Sequence, residues 1–415
     1  ELADAQKHSG AKALHAIVMD PFTGEIISMA QWSATPDSYG INRNVSNLYE
    51  PGSFLKVLFA AEAIELGVLK PHSMIDCGLG KITVNGQVLG EAESDHRYGL
   101  LPLEKVIQFS SNVGAVRVAQ ALGDLRVRAT LEKYSLTSKT EVQLPGEANS
   151  PMKSKHQWTP LLNATVGFGQ GVSVTPLQMV AAMAPFANGG YWVRPKILKS
   201  EVGSTQAERQ ELRRVLSGET VRKMRKMLIS VTEGKGGTGV RAKIPGFHVA
   251  GKTGTAQKYE AGVGYRSGKY FSSFVGFLPA DNPQILVGVM VDEPKAPYYA
   301  SETAAPLFKR IAERTIQVLD RVPTETMVAD LEPLPKKKSK KAPREDAPQL
   351  ILSGDGKIVM PNLKGLSLKE TLQLVGKHLQ DVKISGAGYL ETQQPPPGTL
   401  VQPETPVELT FTPNG

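Results

Sequence analysis

The stretch Glu50-Pro51-Gly52-Ser53-Phe54-Leu55-Lys56, running into the apolar segment Val57 to Gly67, decides how the rest of the chain is read. Pro51 and Gly52 interrupt the backbone, the residues after them are good helix formers, and Gly67 is a suitable C-terminal stop. Ser53 is therefore expected in the first turn of a helix, near free N–H groups and the positive end of the dipole. Lys56 falls on the same helical face, within reach of the Ser53 hydroxyl. Leu55, Val57, Leu58, Phe59, Ala60, Ala61, Ala63 and Ile64 make the segment apolar nearly all round, which predicts a central, buried helix. Burial, or a second cation nearby, lowers a lysine's pKa and lets it act as base for a serine nucleophile. The same residues also suit a serine cap on a core helix with a snorkelling lysine, so partners downstream decide.

The composition is that of a globular protein: 415 residues, 40% hydrophobic and 21% charged, long enough for more than one domain. The net charge of +8 is concentrated in one run, Lys336-Lys337-Lys338-Ser339-Lys340-Lys341-Ala342-Pro343-Arg344, which reads as a solvated linker. No basic helix with interleaved aromatics is evident elsewhere, so no nucleic-acid partner is predicted. Cys77 is the only cysteine, which excludes a disulfide framework and a thiolate metal site. The histidines are scattered without ligand spacing, and no metal or cofactor is predicted. No apolar run is long enough to span a bilayer, and the start Glu1-Leu2-Ala3 reads as a trimmed product.

In order, residues Glu1 to Gly10 read as a helix end. Ala13 to Met19 and Glu25 to Ala30 read as a hairpin turned by Asp20 to Gly24. After the central helix comes an irregular stretch, Pro71 to Leu103, with a small hairpin around Asn85-Gly86. Leu103 to Leu122 is helical with a break at Ser110-Ser111-Asn112-Val113-Gly114, which would also serve as plain capping. Gly167 to Gly171 precedes a helix opened by Thr175-Pro176. Arg214 to Val231 is an amphipathic helix. Strands Phe247–Ala256, Phe271–Phe277 and Gln284–Val291 form a meander, and a helix Ala304–Leu319 closes the unit. The fold class is α+β, an antiparallel sheet covered by helices. Residues 327–356 are a Pro/Lys-rich linker between a domain at 1–326, whose first ten residues are a remnant of a preceding region, and a small α+β module at 357–415. That module reads strand, helix (Ser367 to Leu379, Ser367 capping), then two or three strands, with a turn at Gln393 to Gly398.

Two phosphate motifs match as strings. Gly234, Gly236 and Gly239 fit a dinucleotide fingerprint but follow a helix where a strand is required. Gly246 to Thr253 fits a P-loop, with an acidic strand end at Asp292-Glu293. Four glycines, Gly254, Gly262, Gly264 and Gly268, forbid the helix that a P-loop lysine opens. The alternative for Lys252-Thr253-Gly254-Thr255 is a sheet strand edging a cleft. There Lys252 offers a cation, Thr253 and Thr255 donate hydroxyls to a carboxylate, and Gly254 leaves room for a substrate backbone.

Serine-x-x-lysine (Ser53, Lys56), serine-x-asparagine (Ser110, Asn112) and lysine-threonine-glycine (Lys252, Thr253, Gly254), in that order, resemble the signature of the serine penicillin-recognising enzymes. Asn42-Arg43-Asn44 through Ser53, Val106 to Gly114, Gly169-Gln170-Gly171 with Val174 to Gln178, and Val249 to Lys258 look like class B penicillin-binding proteins, the monofunctional peptidoglycan D,D-transpeptidases, of the division (septal) type. The resemblance covers residues 1 to about 325. The tail from Ile358 resembles a PASTA module through Met360-Pro361, Gly365, Gly386 to Gly388 and the proline turn. The family's N-terminal membrane helix and pedestal domain are missing from this chain.

The resemblance implies a transpeptidase fold with an all-helical part beside the sheet. It implies attack by Ser53, deprotonated by Lys56, on a stem peptide ending in D-Ala-D-Ala, whose carboxylate meets Lys252, Thr253 and Thr255. The oxyanion would lie against the N–H groups of Ser53 and Thr255, Ser110 would protonate the leaving D-Ala, and Asn112 would hold Lys56 and the substrate amide. An amine of a neighbouring strand then takes the acyl group, while a β-lactam would stay on Ser53. Lys56 is expected to titrate low because Lys252 is close. The implied partners also include divisome or elongation membrane proteins, reached through the missing N-terminal region at the extracytoplasmic face of the membrane. Alternatives are a D,D-carboxypeptidase, a β-lactamase with a glutamate-activated water (Glu147 reads as a turn residue instead), or a non-enzymatic β-lactam sensor or wall-binding protein.

Overall fold

A computed structural model of the chain describes residues 1–319 apart from 35–39, Ser94, 199–211, Ala261, Arg266 and Ala296. Beyond these it describes 351–352, 358–366, 368–375, Leu379, 381–386 and 389–412. The chain divides into two compact units, Glu1–Leu331 and Glu332–Gly415. In the first, the described elements are α1 (Leu2–Ser9), β1 (Ala13–Met19), β2 (Ile26–Ser33), α2 (Arg43–Ser46), α3 (Leu55–Glu65), β3 (Met74–Asp76), β4 (Lys81–Val84), β5 (Gln87–Gly90) and β6 (Leu100–Pro102). Helices α4 (Leu103–Phe109), α5 (Asn112–Leu122), α6 (Asp124–Lys133), α7 (Pro160–Gly167) and α8 (Pro176–Ala187) follow. The unit ends with β7 (Tyr191–Trp192), β8 (Arg213–Arg214), α9 (Gly218–Glu233), β9 (Ala250–Gln257), β10 (Tyr270–Leu278), β11 (Ile285–Asp292) and α10 (Ala304–Val318).

The N-terminal hairpin and the C-terminal meander are one antiparallel sheet, ordered β2-β1-β11-β10-β9. The seam is β1 against β11, from Ala13 opposite Asp292 to Met19 opposite Leu286. Both strands are buried along their whole length, which explains their mainly apolar composition; the buried exceptions are His15 and Asp292. Successive side chains serve different cores. Leu14, Ala16 and Val18 join Phe274, Val287 and Val289 under Leu307 and Phe308 of α10. Ile17 and Met19 join Val275, Phe277 and Leu286 on the face toward α3, α8 and α9. Each such large side chain contributes about 1.5–3 kcal/mol on burial.

The central helix forms as its composition predicts, except that it is entered through a 3₁₀ turn, Gly52–Phe54, before α3 begins. Every residue of α3 but Glu65 is buried, Lys56 and Glu62 included. The hairpin at Asn85-Gly86 is present, with both turn residues at positive φ as its twist requires. Helix α9 starts later than the amphipathic pattern suggests. Arg213 and Arg214 pair with β7, and Ser217 caps the helix by accepting from Thr220 N.

In the second unit, α11 (Leu368–Val375) is accompanied by β12 (Ile351–Leu352), β13 (Ile358–Val359), β14 (Val382–Gly386), β15 (Tyr389–Gln394), β16 (Leu400–Val401) and β17 (Val407–Thr412). Among the described residues four strands follow the helix rather than two or three, because Leu400–Val401 pairs with β13 while β17 lies between β14 and β15. Met360, Leu363, Leu390, Val407, Leu409 and Phe411 form its separate core. Ile351 and Leu352, read as linker, are paired with β13. The rest of the linker and the Ser367 cap lie outside the described residues. Gln393 and Gln394 end β15, so the proline turn begins at Pro395. No helix among the described residues is long and apolar enough to cross a membrane.

Candidate active site

The turn carrying Ser53 is clamped from two sides. Gly52 N donates to Gly169 O at 3.0 Å, and a Cβ on Gly169 would lie 1.8 Å from Gly52 O, so only glycine fits there. Next to it, Gly171 N and the Tyr265 hydroxyl both donate to Glu50 Oε1 at 2.8 Å. Burial raises the pKa of Glu50. Opposite stands β9, where a Cβ on Gly254 would meet Ser273 Oγ at 2.5 Å and Pro51 O at 2.9 Å. Gly254 thus makes room for the chain's own Pro51 carbonyl rather than for a substrate backbone. That close approach brings Gly52 against Thr255 and Ala256.

Ser110 is the meeting point of the two lysines. It ends α4 in the left-handed region at φ 61°, and Ser111 caps α5 by accepting from Gly114 N at 2.9 Å. This sharp turn aims Ser110 and Asn112 back at α3. Lys56 Nζ donates to Ser110 O at 2.5 Å, Asn112 Oδ1 at 2.6 Å and Ser110 Oγ at 3.3 Å. Among the described residues none of its hydrogen bonds goes to Ser53; the turn after α4 supplies its three acceptors. Lys252 shares a sheet face with Ala250 and Val275, both in the core under the helices, and is fully buried. Its Nζ donates to Ser110 Oγ at 2.9 Å and to Thr253 O at 3.0 Å.

Burial holds Lys56 down to a pKa of about 7, opposed by the negative charge of Glu91. The low value is as expected, but its cause is loss of water rather than the neighbouring cation. Lys252 is pushed well below the usual lysine range by burial first and by Lys56 second. Lys252, read as offering a cation to the cleft, is fully buried and does not line it: it sits behind the cleft wall.

The cleft encloses about 380 Å³ and is lined by Ser53, Ser110, Asn112, Thr253 and Thr255 among others. Two further lining residues were not singled out by any motif. Thr238, in the glycine-rich loop after α9, shares a hydrogen bond with Thr253, Oγ1 to Oγ1 at 2.7 Å. Glu91, just past β5, accepts from Ser111 Oγ and Asn112 N, both at 2.5 Å. Thr255 Oγ1 accepts from Ala300 N at 3.1 Å. The only sequence signal for Thr238 was its place in a segment read for another purpose, and Glu91 had none.

Both phosphate motifs fail on geometry. Lys252 lies within β9 and opens no helix, Asp292 and Glu293 pair with Lys258, and the 234–239 loop follows α9. Glu147 accepts from Thr140 N and Oγ1 at 2.6 Å and closes its own loop. Glu93, Asp95 and His96, not noticed as a group in the sequence, bring ligand atoms within 4.8 Å of one another. His96 is already held between Tyr98 Oη at 2.8 Å and Glu93 Oε2 at 2.9 Å.

Comparison with known proteins agrees with this arrangement. The family described as penicillin binding protein transpeptidase domain matches residues 14–313, and the PASTA domain family matches 358–413. Penicillin-binding protein PbpB of Mycolicibacterium smegmatis is 36% identical over 336 residues, 75% of this chain and 51% of that protein. The chain thus spans about half the length of that curated relative. The transpeptidase domain of Burkholderia pseudomallei penicillin-binding protein 3 superposes with a TM-score of 0.70 at 32% identity, covering 78% of this chain and 93% of that one. Penicillin-binding protein 3 of Mycobacterium tuberculosis complexed with aztreonam gives 0.68 at 33%, covering 78% and 76%. The chain belongs to the penicillin-binding protein transpeptidase family and carries a PASTA domain.

Proposed function

We propose that the protein is a serine peptidoglycan D,D-transpeptidase of the division type, acting on stem peptides that end in D-Ala-D-Ala and acylated by β-lactams. The observation that carries the reading is the Ser110 hydroxyl lying within hydrogen-bond reach of two buried lysines beside a cleft that also exposes Ser53. Neutral Lys56 takes the Ser53 proton as the alkoxide attacks the penultimate carbonyl. To do so it gives up one of its present acceptors, as catalytic contacts commonly tighten only around substrate. The oxyanion lies between the N–H groups of Ser53 and Thr255, a placement supported by the contact of Gly52 with the Thr255–Ala256 backbone.

The C–N bond then breaks. Ser110 passes its proton to the departing D-Ala amine and is reprotonated by Lys56, with Lys252 fixing the hydroxyl from the other side. The hydroxyls of Thr253, Thr238 and Thr255 meet the terminal carboxylate, and Lys252 supports them from behind. An amine of a second strand displaces Ser53 from the ester and completes the cross-link. Family membership supports placing the protein at the extracytoplasmic face of the membrane, among division proteins. The test is intact-mass detection of a long-lived penicilloyl adduct on Ser53. Ser53→Ala is expected to abolish labelling by a fluorescent penicillin, and persistent labelling would overturn the assignment.

A further inference from the structure

We infer that Glu91 is a positioning residue for acylation, locking the Ser110-Ser111-Asn112 turn against Lys56 and supplying the counter-charge to that buried amine. The inference rests on the transpeptidase reading and adds to it a residue outside the three motifs. Its geometry is specific. Glu91 N is anchored to Gly80 O at 3.1 Å, so its place is fixed by the β4–β5 hairpin. Its carboxylate accepts from Ser111 Oγ and Asn112 N at 2.5 Å each, and from Val113 N at 3.4 Å. Those donors are the cap residue and the first N–H groups of α5, where a negative charge is also favoured by the helix dipole.

The same hairpin orients the neighbouring amide. Gly90 O accepts from Asn112 Nδ2 at 3.1 Å, which turns Asn112 Oδ1 toward Lys56. Two consecutive residues, Gly90 and Glu91, thereby fix Asn112 by its side chain and its backbone. Because the contact to Lys56 runs through a neutral amide, the glutamate influences the amine through its field. Among the described residues, three charged or titratable groups face Lys56 from the surrounding elements. They are Glu91 after β5, Cys77 after β3 and Lys252 on β9. Glu91 in turn acts on Cys77 and Tyr98, whose pKa values burial raises. Of these, Glu91 is the group whose charge favours the protonated amine most.

The experiment is the pH dependence of the second-order acylation rate with a chromogenic β-lactam, for the whole chain and its variants. Glu91→Gln is expected to move the acidic limb down by about one pH unit, since an opposing charge is lost. The plateau rate should fall about tenfold or more as the turn loosens. Glu91→Asp keeps the charge but is too short to span Ser111 Oγ and Asn112 N, so its plateau should fall while its limb stays in place. Ser111→Ala should behave like Glu91→Asp. A limb that coincides with wild type in Glu91→Gln overturns the proposal, and so does an equal shift in Ser111→Ala. Should Glu91→Gln not fold, an unchanged plateau in Glu91→Asp overturns it. Failure of the underlying reading looks different: the wild type would then form no Ser53 adduct at any pH.

Discussion

Replacing Gly254 by alanine tests how the turn that carries Ser53, the proposed nucleophile, is held against the sheet. Gly254 has no left-handed backbone, so alanine meets no torsional penalty and the effect is purely steric. Its Cβ would lie 2.5 Å from Ser273 Oγ, which can rotate away, and 2.9 Å from Pro51 O, which cannot. The second contact is 0.5 Å short of the 3.4 Å at which ordinary contact begins. Pro51 O accepts from Phe54 N within the 3₁₀ turn, so it moves only if the turn moves. Relief requires Ser53 to shift by roughly half an ångström from Thr255, at an overpacking cost of about 1–3 kcal/mol. Displacement on that scale at a reacting centre costs about ten- to a hundredfold in rate. The assay is second-order acylation by a fluorescent penicillin, alongside thermal unfolding. Gly254→Ala combined with Ser273→Ala should not recover the rate, because Pro51 O remains in the way. Acylation within twofold of wild type in the single variant, or full recovery in the double, would refute the clamp.

Further outcomes follow from the lysines and threonines. On the proposed mechanism acylation requires Lys56 neutral, and a pKa of about 7 makes the rate climb as pH rises through 7, roughly tenfold between pH 6 and 8; a flat profile contradicts this. Lys56→Arg keeps the charge protonated and should lower acylation by about a thousandfold, measured by adduct formation under saturating β-lactam; a loss of less than tenfold removes the base role. Thr238→Val preserves shape but leaves Thr253 Oγ1 without its hydroxyl partner. About a tenfold drop in acylation with an unchanged melting temperature is expected.

The architecture was largely legible because its signals are local. Strand-like runs flanked by turn residues gave β1 and β11, a helix apolar all round gave α3, and the polar break at Ser110 gave two helices. What could not be read is what depends on distant segments meeting. Gly254 answers to Pro51, Lys252 turns inward because its sheet face meets the helices, and Glu91 and Thr238 gain roles only through α5 and β9. The strand count of the second unit was underestimated because Leu400–Val401 is too short to show periodicity, and its partner is β13. The spacing of Ser53 and Lys56 reads as one face of a single helix, but Ser53 sits in the 3₁₀ turn that precedes α3. The acceptors that claim the ammonium come from another helix, so the missing Ser53 contact was not foreseeable.

A buried amine can serve as a base near neutrality only if its nearest acceptors carry no charge, and position 112 shows how this is arranged. Lys56 touches a carbonyl, a hydroxyl and the Asn112 amide, while the carboxylate of Glu91 is kept at one remove and occupied by α5 donors. Asn112→Asp would put an anion where Oδ1 now stands, 2.6 Å from Nζ. A direct ion pair raises a lysine's pKa, so the acidic limb of acylation should move up by about one to three pH units. At pH 7 the neutral fraction, and the rate with it, would fall by about fivefold for a one-unit shift and about five-hundredfold for three, recoverable at alkaline pH. Loss of Nδ2 also faces Gly90 O with a lone pair, so some of the deficit should persist on the plateau. A variant whose limb stays at the wild-type pH while only its plateau drops would show that Asn112 acts by shape alone, and that neutrality of the first contacts is not what poises Lys56.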